Sequence, residues 1–155
     1  MNIGIVIYSQ TGNTRLVATK LKEALSAAGH RAVLEEVKLA GERKQGTKAF
    51  ELGPLPNVGG YDALVMGAPV EAFSLSPIMA KYLDAVPTLE KRNVACFVTQ
   101  GFPYRWLGGS RAVRQMSRLC EAKGAKVLGN HVVNWMGAGL DARIARGVER
   151  LSKLF

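Results

Sequence analysis

The chain has 155 residues, of which 48% are hydrophobic and 21% are charged, and this composition is typical of one globular domain with a single core. No apolar run reaches the roughly 18 residues that a membrane-spanning helix needs. No basic segment followed by a signal-type apolar stretch opens the chain. We therefore expect a cytoplasmic protein that forms one domain over residues 1–155.

The chain is also strongly basic, with a formal net charge of +9 and a pI of about 9.9. Such a surface can favour acidic partners, nucleic acid or an anionic membrane. The basic side chains of the second half form two stripes at helical spacing, namely Arg111, Arg114 and Arg118, and then Arg143, Arg146, Arg150 and Lys153. We interpret both stripes as the solvated faces of amphipathic helices. Nucleic-acid binding is disfavoured, because the sequence shows neither a recognition motif nor aromatic residues among these charges.

Apolar strands alternate with amphipathic helices along the chain. Strands are predicted at residues 3–8, 31–37, 61–67, 93–99 and 126–135. Helices are predicted at residues 13–28, from an N-cap at Ser76 to Pro87, from an N-cap at Ser110 to Gly124, and at residues 139–154. This alternation predicts a three-layer α/β/α domain with a parallel sheet and right-handed crossovers.

Two parts of the chain give less regular signals. Residues 38–60 are rich in glycine and proline, and they predict either a mobile connection or a reduced crossover helix, with a helical turn at residues 48–52. Cys96 and Cys120 lie far apart inside apolar patterns. They are predicted to be buried, reduced thiols, since neither a disulfide pattern nor a metal-ligand cluster is present.

Three loops are expected to meet at one edge of the sheet. In parallel sheets, ligands bind outside the carboxyl ends of the strands. The loops that leave those ends here cover residues 9–14, 68–75 and 99–109, and they are rich in glycine, proline, hydroxyl and aromatic residues. Their convergence predicts a ligand site at this edge.

The first loop has the composition of a phosphate site, and it consists of Ser9, Gln10, Thr11, Gly12, Asn13 and Thr14. It joins a buried strand to the start of a helix, where unpaired N–H groups and the positive end of the helix dipole attract anions. The hydroxyl groups add donors, and Gly12 lets the backbone approach a ligand closely. The alternative is an ordinary N-cap, but a cap needs a single residue of this kind.

The same segments resemble the flavodoxin family. Residues 8–14 resemble its hydroxyl–x–Thr–Gly–x–Thr phosphate loop, and residues 61–70 resemble its third strand and second flavin loop. Thr99, Gln100 and Gly101 resemble the start of its third flavin loop. The resemblance covers essentially the whole chain. It implies a single flavodoxin-like domain, a five-stranded parallel sheet in the order 2-1-3-4-5, FMN as cofactor, and electron transfer with a redox partner protein.

The resemblance also implies which residues bind the cofactor. The FMN phosphate is assigned to Ser9, Gln10, Thr11, Gly12, Asn13 and Thr14. The ring and the ribityl chain are assigned to Ala68, Pro69, Val70, Glu71, Ala72 and Phe73. The pyrimidine edge is assigned to the third loop through Thr99, Gln100, Gly101, Tyr104 and Trp106. Phe73, Tyr104 and Trp106 are the candidates for stacking on the ring.

The chain departs from many members of that family in its charge. Many electron-carrying flavodoxins are strongly acidic, whereas this chain is basic, and the difference suggests acidic partners. The sequence leaves three functions open: an FMN-binding electron carrier, an FMN-dependent NAD(P)H or quinone oxidoreductase, and a flavin-free binding module with the same fold. No side chain stands out as a general base or a nucleophile.

Overall fold

The protein was examined as a computed structural model, which describes residues 1–43, 50–101 and 107–155. The elements in chain order are β1 (Asn2–Ile7), α1 (Asn13–Ala27), β2 (Arg31–Glu36), β3 (Ala63–Glu71), β4 (Ser74–Leu75), α2 (Pro77–Ala85), β5 (Asn93–Gln100), α3 (Gly109–Ala122), β6 (Lys126–Asn134) and α4 (Leu140–Ser152). Strands and helices alternate as the sequence predicts. None of the helices in these three ranges is long and apolar enough to cross a membrane.

A parallel sheet in the order β2-β1-β3-β5-β6 forms the middle layer. When its parallel strands are numbered along the chain, this order is 2-1-3-4-5, so the predicted topology is confirmed. The short strand β4 pairs with β3 in the antiparallel direction and lies off this path. The chain moves from β1 to β2 on one side and then to β3 on the other, which places the switch point between β1 and β3.

Helices cover both faces of the sheet. On one face, α1 and α4 pack against side chains that alternate along β1, namely Ile3, Ile5 and Ile7. On the other face, α2 and α3 pack against Leu64 and Met66 of β3 and their neighbours. Because both faces are covered, the central strands are continuously apolar, as is typical of parallel sheets. Cys96 and Cys120 are free and buried in the second of these cores, as predicted.

The predicted end of the third strand is wrong. That strand extends to Glu71 instead of Gly67, because Val70 pairs with Leu75 and Glu71 pairs with Ser74 in a hairpin. Pro69 also stays in register with Thr99 of β5. Residues 68–71 therefore belong to the sheet, and the second loop is reduced to the hairpin turn.

The predicted N-cap of the third helix is also wrong. The N-cap of α3 is Gly108, and Ser110 lies inside the first turn of the helix. Gly108 has φ +114°, and a Cβ at this position would lie 2.7 Å from the Cα of Phe73. The close approach of these two backbones requires glycine and sets the start of the helix.

Residues 38–40 and 51–53 run antiparallel to each other. Leu39 and Leu52 form a β-bridge, and the N–H of Gly53 donates to the carbonyl of Lys38 at 2.7 Å. The predicted helical turn at residues 48–52 is contradicted at residues 50–52, while residues 48 and 49 lie outside the described part of the chain. Hydrogen bonds to a distant segment decide this conformation, and sequence periodicity does not reveal them.

Candidate functional site

The carboxyl ends of β1, β3 and β5 lie side by side at one edge of the sheet. These strands are neighbours and parallel, so the loops that follow them leave in the same direction. The described part of the predicted site thus comes together at the switch point of the sheet. Tyr104 and Trp106 lie outside the described residues.

The first loop ends at the N-cap residue of α1, and this residue makes no side-chain capping hydrogen bond. That residue is Gly12, with φ +95° and open space where a Cβ would stand. Ser9 Oγ accepts a hydrogen bond from the N–H of Arg15 at 3.2 Å, and Thr11 Oγ1 accepts one from Asn13 Nδ2 at 3.2 Å. Both hydroxyl groups keep their hydrogen for donation to a further acceptor. Gln10 and Thr11 are exposed.

Thr14 and Thr99 connect the first loop to the end of β5. Their Oγ1 atoms are 2.9 Å apart, and the two residues are only 2% and 1% exposed. The hydroxyl of Thr14 is thus directed into the interior toward Thr99. This hydrogen bond fixes the start of α1 relative to the third loop.

The second loop is a tight hairpin turn between β3 and β4. Ala68 is buried in the sheet, and Pro69, Val70 and Glu71 continue β3. The turn residues Ala72 and Phe73 have φ of +47° and +63°. A two-residue turn with both φ angles positive resembles type I′, which usually contains glycine or asparagine.

This backbone conformation is strained. The left-handed region costs about 1–2 kcal/mol for a residue with a Cβ. Phe73 is also 52% exposed, although it is a large apolar side chain. Strain of this kind is often found at ligand sites. The turn thus presents an aromatic ring at the edge where the three loops meet.

An ion pair lies behind the hairpin. Arg43 Nη1 is 2.6 Å from Glu71 Oε1, and the side chains are 20% and 19% exposed. Burial is the main cause that raises the pKa of the neighbouring Tyr8, and the Glu71 carboxylate raises it further, while Arg43 opposes the shift. Glu71, assigned to the ring by sequence, therefore has its charge offset by a protein group. Sequence analysis missed Arg43, because it lies in the irregular segment of residues 38–60.

The third loop begins at the buried residues Thr99 and Gln100 and continues to Gly101. The carbonyl of Gln100 accepts a hydrogen bond from the N–H of Trp135 at 3.0 Å. A Cβ on Gly101 would lie 3.0 Å from the Trp135 ring. Trp135 thus stands at the same edge, and sequence analysis missed it. A tryptophan after the last strand, before a glycine-rich stretch, is the signal that could have identified it.

Arg143 organises the loop that follows Trp135. Its guanidinium donates to the carbonyl oxygens of Asn134 at 2.8 Å, Ala138 at 2.6 Å and Met136 at 2.9 Å. The sequence assigned Arg143 to a solvated stripe. This assignment is wrong, because the N–H groups of Arg143 donate to the carbonyl groups of a loop. Its stripe neighbours Arg146 and Arg150 are exposed.

The residues of the first loop suit an anion more than a metal ion. The described part of the chain contains no group of three or more His, Cys, Asp or Glu side chains that could hold a metal. Backbone N–H groups at a helix N-terminus and two donating hydroxyls suit a phosphate group. The open space at Gly12 gives such a group access to the backbone.

Comparison with known proteins finds flavodoxins that are similar to this chain in sequence or in fold. The flavodoxin of Megasphaera elsdenii is 28% identical over 137 residues, which cover 86% of this chain and 87% of that protein. Oxidised flavodoxin 1 of Bacillus cereus has a TM-score of 0.72 at 14% identity and covers 99% of this chain and 97% of its own. Flavodoxin 2 of the same species has a TM-score of 0.71 at 19% identity over 100% of both chains. No protein-family model matches the chain.

Proposed function

From its confirmed resemblance to the flavodoxin family in sequence and in fold, we propose that this protein binds FMN and carries electrons to or from a partner protein. When bound, FMN supplies the electron exchange, and the protein supplies binding, orientation and electrostatics. The proposal rests mainly on one observation, the open N-terminal end of α1 beside the hairpin of the second loop.

The first loop is proposed to bind the phosphate. Hydrogen bonds to a charged group contribute roughly 1.5–3 kcal/mol each, so a few of them hold a phosphate without a lysine. The hydroxyls of Ser9 and Thr11 retain donating hydrogens, and the first turn of α1 adds N–H groups and the helix dipole. Arg15, which follows this loop in the chain, is paired with Glu36 and is not needed for this role.

The hairpin and the start of the third loop are proposed to face the flavin ring. Phe73 offers an exposed aromatic surface, and the half-buried Trp135 adds a second ring next to Gly101. The ion pair between Arg43 and Glu71 holds the end of β3 in place. Because Arg43 offsets the charge of Glu71, this carboxylate adds little negative potential next to a bound flavin.

The proposal is tested with purified protein that has been saturated with FMN. We expect the bound flavin to be reduced by dithionite and then reoxidised by an external electron-accepting protein. We also expect no sustained oxidation of NADPH or NADH, which separates a carrier from a reductase. Turnover of a nicotinamide cofactor would favour the oxidoreductase, and failure to bind FMN would contradict both flavin functions.

A further inference from the structure

A basic surface adjoins the hairpin of the second loop. Arg111, Arg114 and Arg118 are exposed on α3, and with Ser74 and Gln115 they line a cavity of about 520 Å³. With a helical rise of 1.5 Å per residue, the backbone positions of these arginines span about 10 Å of the helix. We call these three arginines the α3 basic surface.

The charges of the α3 basic surface are not neutralised within the described residues. The basic members of the ion pairs in the described part of the chain are Arg15, Lys20, Arg43 and Lys153, and none of the three arginines is among them. Arg114 donates its Nε hydrogen to the carbonyl of Ser110, which leaves its positive charge in place. These three arginines are therefore available to an anionic partner.

The position of Arg111 does not stabilise α3. Arg111 lies in the first turn, and that turn contains no acidic residue. Positive charge near a helix N-terminus is unfavourable, because the dipole is positive at that end. A local arrangement that works against stability is expected mainly where function requires it.

Direct contacts connect helix α3, which carries the α3 basic surface, to the candidate flavin site. Gln115 Oε1 accepts a hydrogen bond from the N–H of Leu75 in β4 at 3.2 Å. The backbone at Gly108, just before α3, packs against the backbone of Phe73 in the hairpin turn. A protein bound to this surface would therefore also lie next to the exposed ring of Phe73.

We propose that the α3 basic surface docks the acidic face of the electron-transfer partner. This inference rests on the proposed function, since it identifies the surface that brings the partner to the flavin. Guanidinium groups form paired hydrogen bonds with carboxylates, and three of them in a row fit several carboxylates of a protein surface better than one compact anion. The net charge of +9 gives long-range attraction to such a partner.

The test compares two charge reversals that change the net charge equally. Arg114→Glu with Arg118→Glu alters the α3 basic surface, and Arg146→Glu with Arg150→Glu alters exposed residues of α4 on the opposite face of the sheet. The probe is an acidic [2Fe–2S] ferredoxin, reduced and mixed without oxygen with the FMN-loaded protein. We expect the α3 variant to accept electrons roughly tenfold more slowly at low ionic strength, and the difference to shrink as salt is added. The α4 variant should stay close to the unaltered protein.

Two controls separate the possible failures. FMN titration and reduction by dithionite should be the same in both variants, and melting temperatures check that both fold. If the protein takes up no FMN, the proposed function fails, and calorimetric binding of the ferredoxin still tests the surface. Equal losses in the two variants would overturn the inference, because only overall charge would then matter. Tighter binding of a short DNA duplex than of the ferredoxin, lost in the α3 variant, would also overturn it.

Discussion

Gly12 is the residue on which the phosphate proposal depends most directly. Its φ of +95° is strained for any residue with a Cβ, and the space beside it is open. In a Gly12→Ala variant we expect FMN affinity to fall roughly tenfold or more, because a change equivalent to one hydrogen bond to a charged group costs at least about 1.5 kcal/mol. Affinity for riboflavin, which lacks the phosphate, should change little. Fluorescence titration with both ligands measures the difference.

Gly29 provides a matched control for this substitution. It has φ +92° and open space beside it, but it lies at the other end of α1. Gly29→Ala should therefore lower the free energy of unfolding by about 1 kcal/mol, as Gly12→Ala does, while FMN affinity stays unchanged. If both variants lose FMN affinity equally, the loss comes from general destabilisation and the role of Gly12 is refuted.

Single residues at the site differed in how well the sequence predicted them. Ser9, Thr11 and Gly12 stand out because small and hydroxyl residues follow a buried strand and precede a helix. Arg43 carries no such signal, because its role depends on a distant carboxylate that the fold brings to it. The sequence does not reveal the role of Arg143 either. An arginine at this helical spacing looks the same whether it faces solvent or donates to the carbonyl groups of a loop.

At the scale of elements, the hydrogen bond between Thr14 and Thr99 ties α1 to β5. In Thr14→Val or Thr99→Val, the remaining hydroxyl is buried without its partner, and we expect a loss of about 1–3 kcal/mol in the free energy of unfolding. The double variant leaves no unpaired hydroxyl, so it should cost less than the sum of the single changes. Urea denaturation of the four proteins gives this comparison. A double variant whose loss equals that sum would show that the two hydroxyls act independently.

Helix and strand periodicity predicted most elements, but the turn residues led to a wrong end for β3 and a wrong start for α3. The hairpin turn contains Ala72 and Phe73 instead of the glycine or asparagine that marks a type I′ turn, so the continuation of β3 had no sequence signal. The start of α3 was assigned to Ser110, because serine is a common N-cap. Tertiary contact with Phe73 decides in favour of Gly108 instead, and only the folded chain contains that contact.

At the scale of the whole molecule, two buried tyrosines and one half-buried tyrosine make stability depend on alkaline pH. Burial raises the pKa values of Tyr82, Tyr8 and Tyr61 above the ordinary value of 10.0. The unfolded chain then loses these protons at lower pH than the folded protein, so stability is complete below about pH 10 and is lost as pH rises further. Tyr82 is fully buried and donates its hydroxyl to the carbonyl of Pro56 at 2.8 Å.

When the pH is raised from about 9 to about 11, the free energy of unfolding of a Tyr82→Phe variant should therefore fall less than that of the unaltered protein. The variant should be somewhat less stable below pH 9, because the carbonyl of Pro56 loses its donor. Urea denaturation at the two pH values measures both effects. An equally steep alkaline loss in the variant would assign the effect to other groups.

The overall architecture was the most predictable property of this protein. Alternation of apolar strands and amphipathic helices defines a three-layer domain, because only helices on both faces cover strands that are apolar throughout. The strand order came from the family resemblance, since pattern alone does not select among parallel topologies. The distribution of positive charge was visible in the sequence, but the pairing of each charge depends on the fold.

The central claim is that the first loop anchors the phosphate of a bound flavin. The most direct test titrates the purified protein, freed of any bound flavin, with FMN and with riboflavin under the same conditions. The account predicts one FMN per chain and an affinity at least roughly a hundredfold higher than that for riboflavin, which corresponds to about 2.7 kcal/mol. Equal affinity for the two ligands, or no binding of FMN, would contradict it.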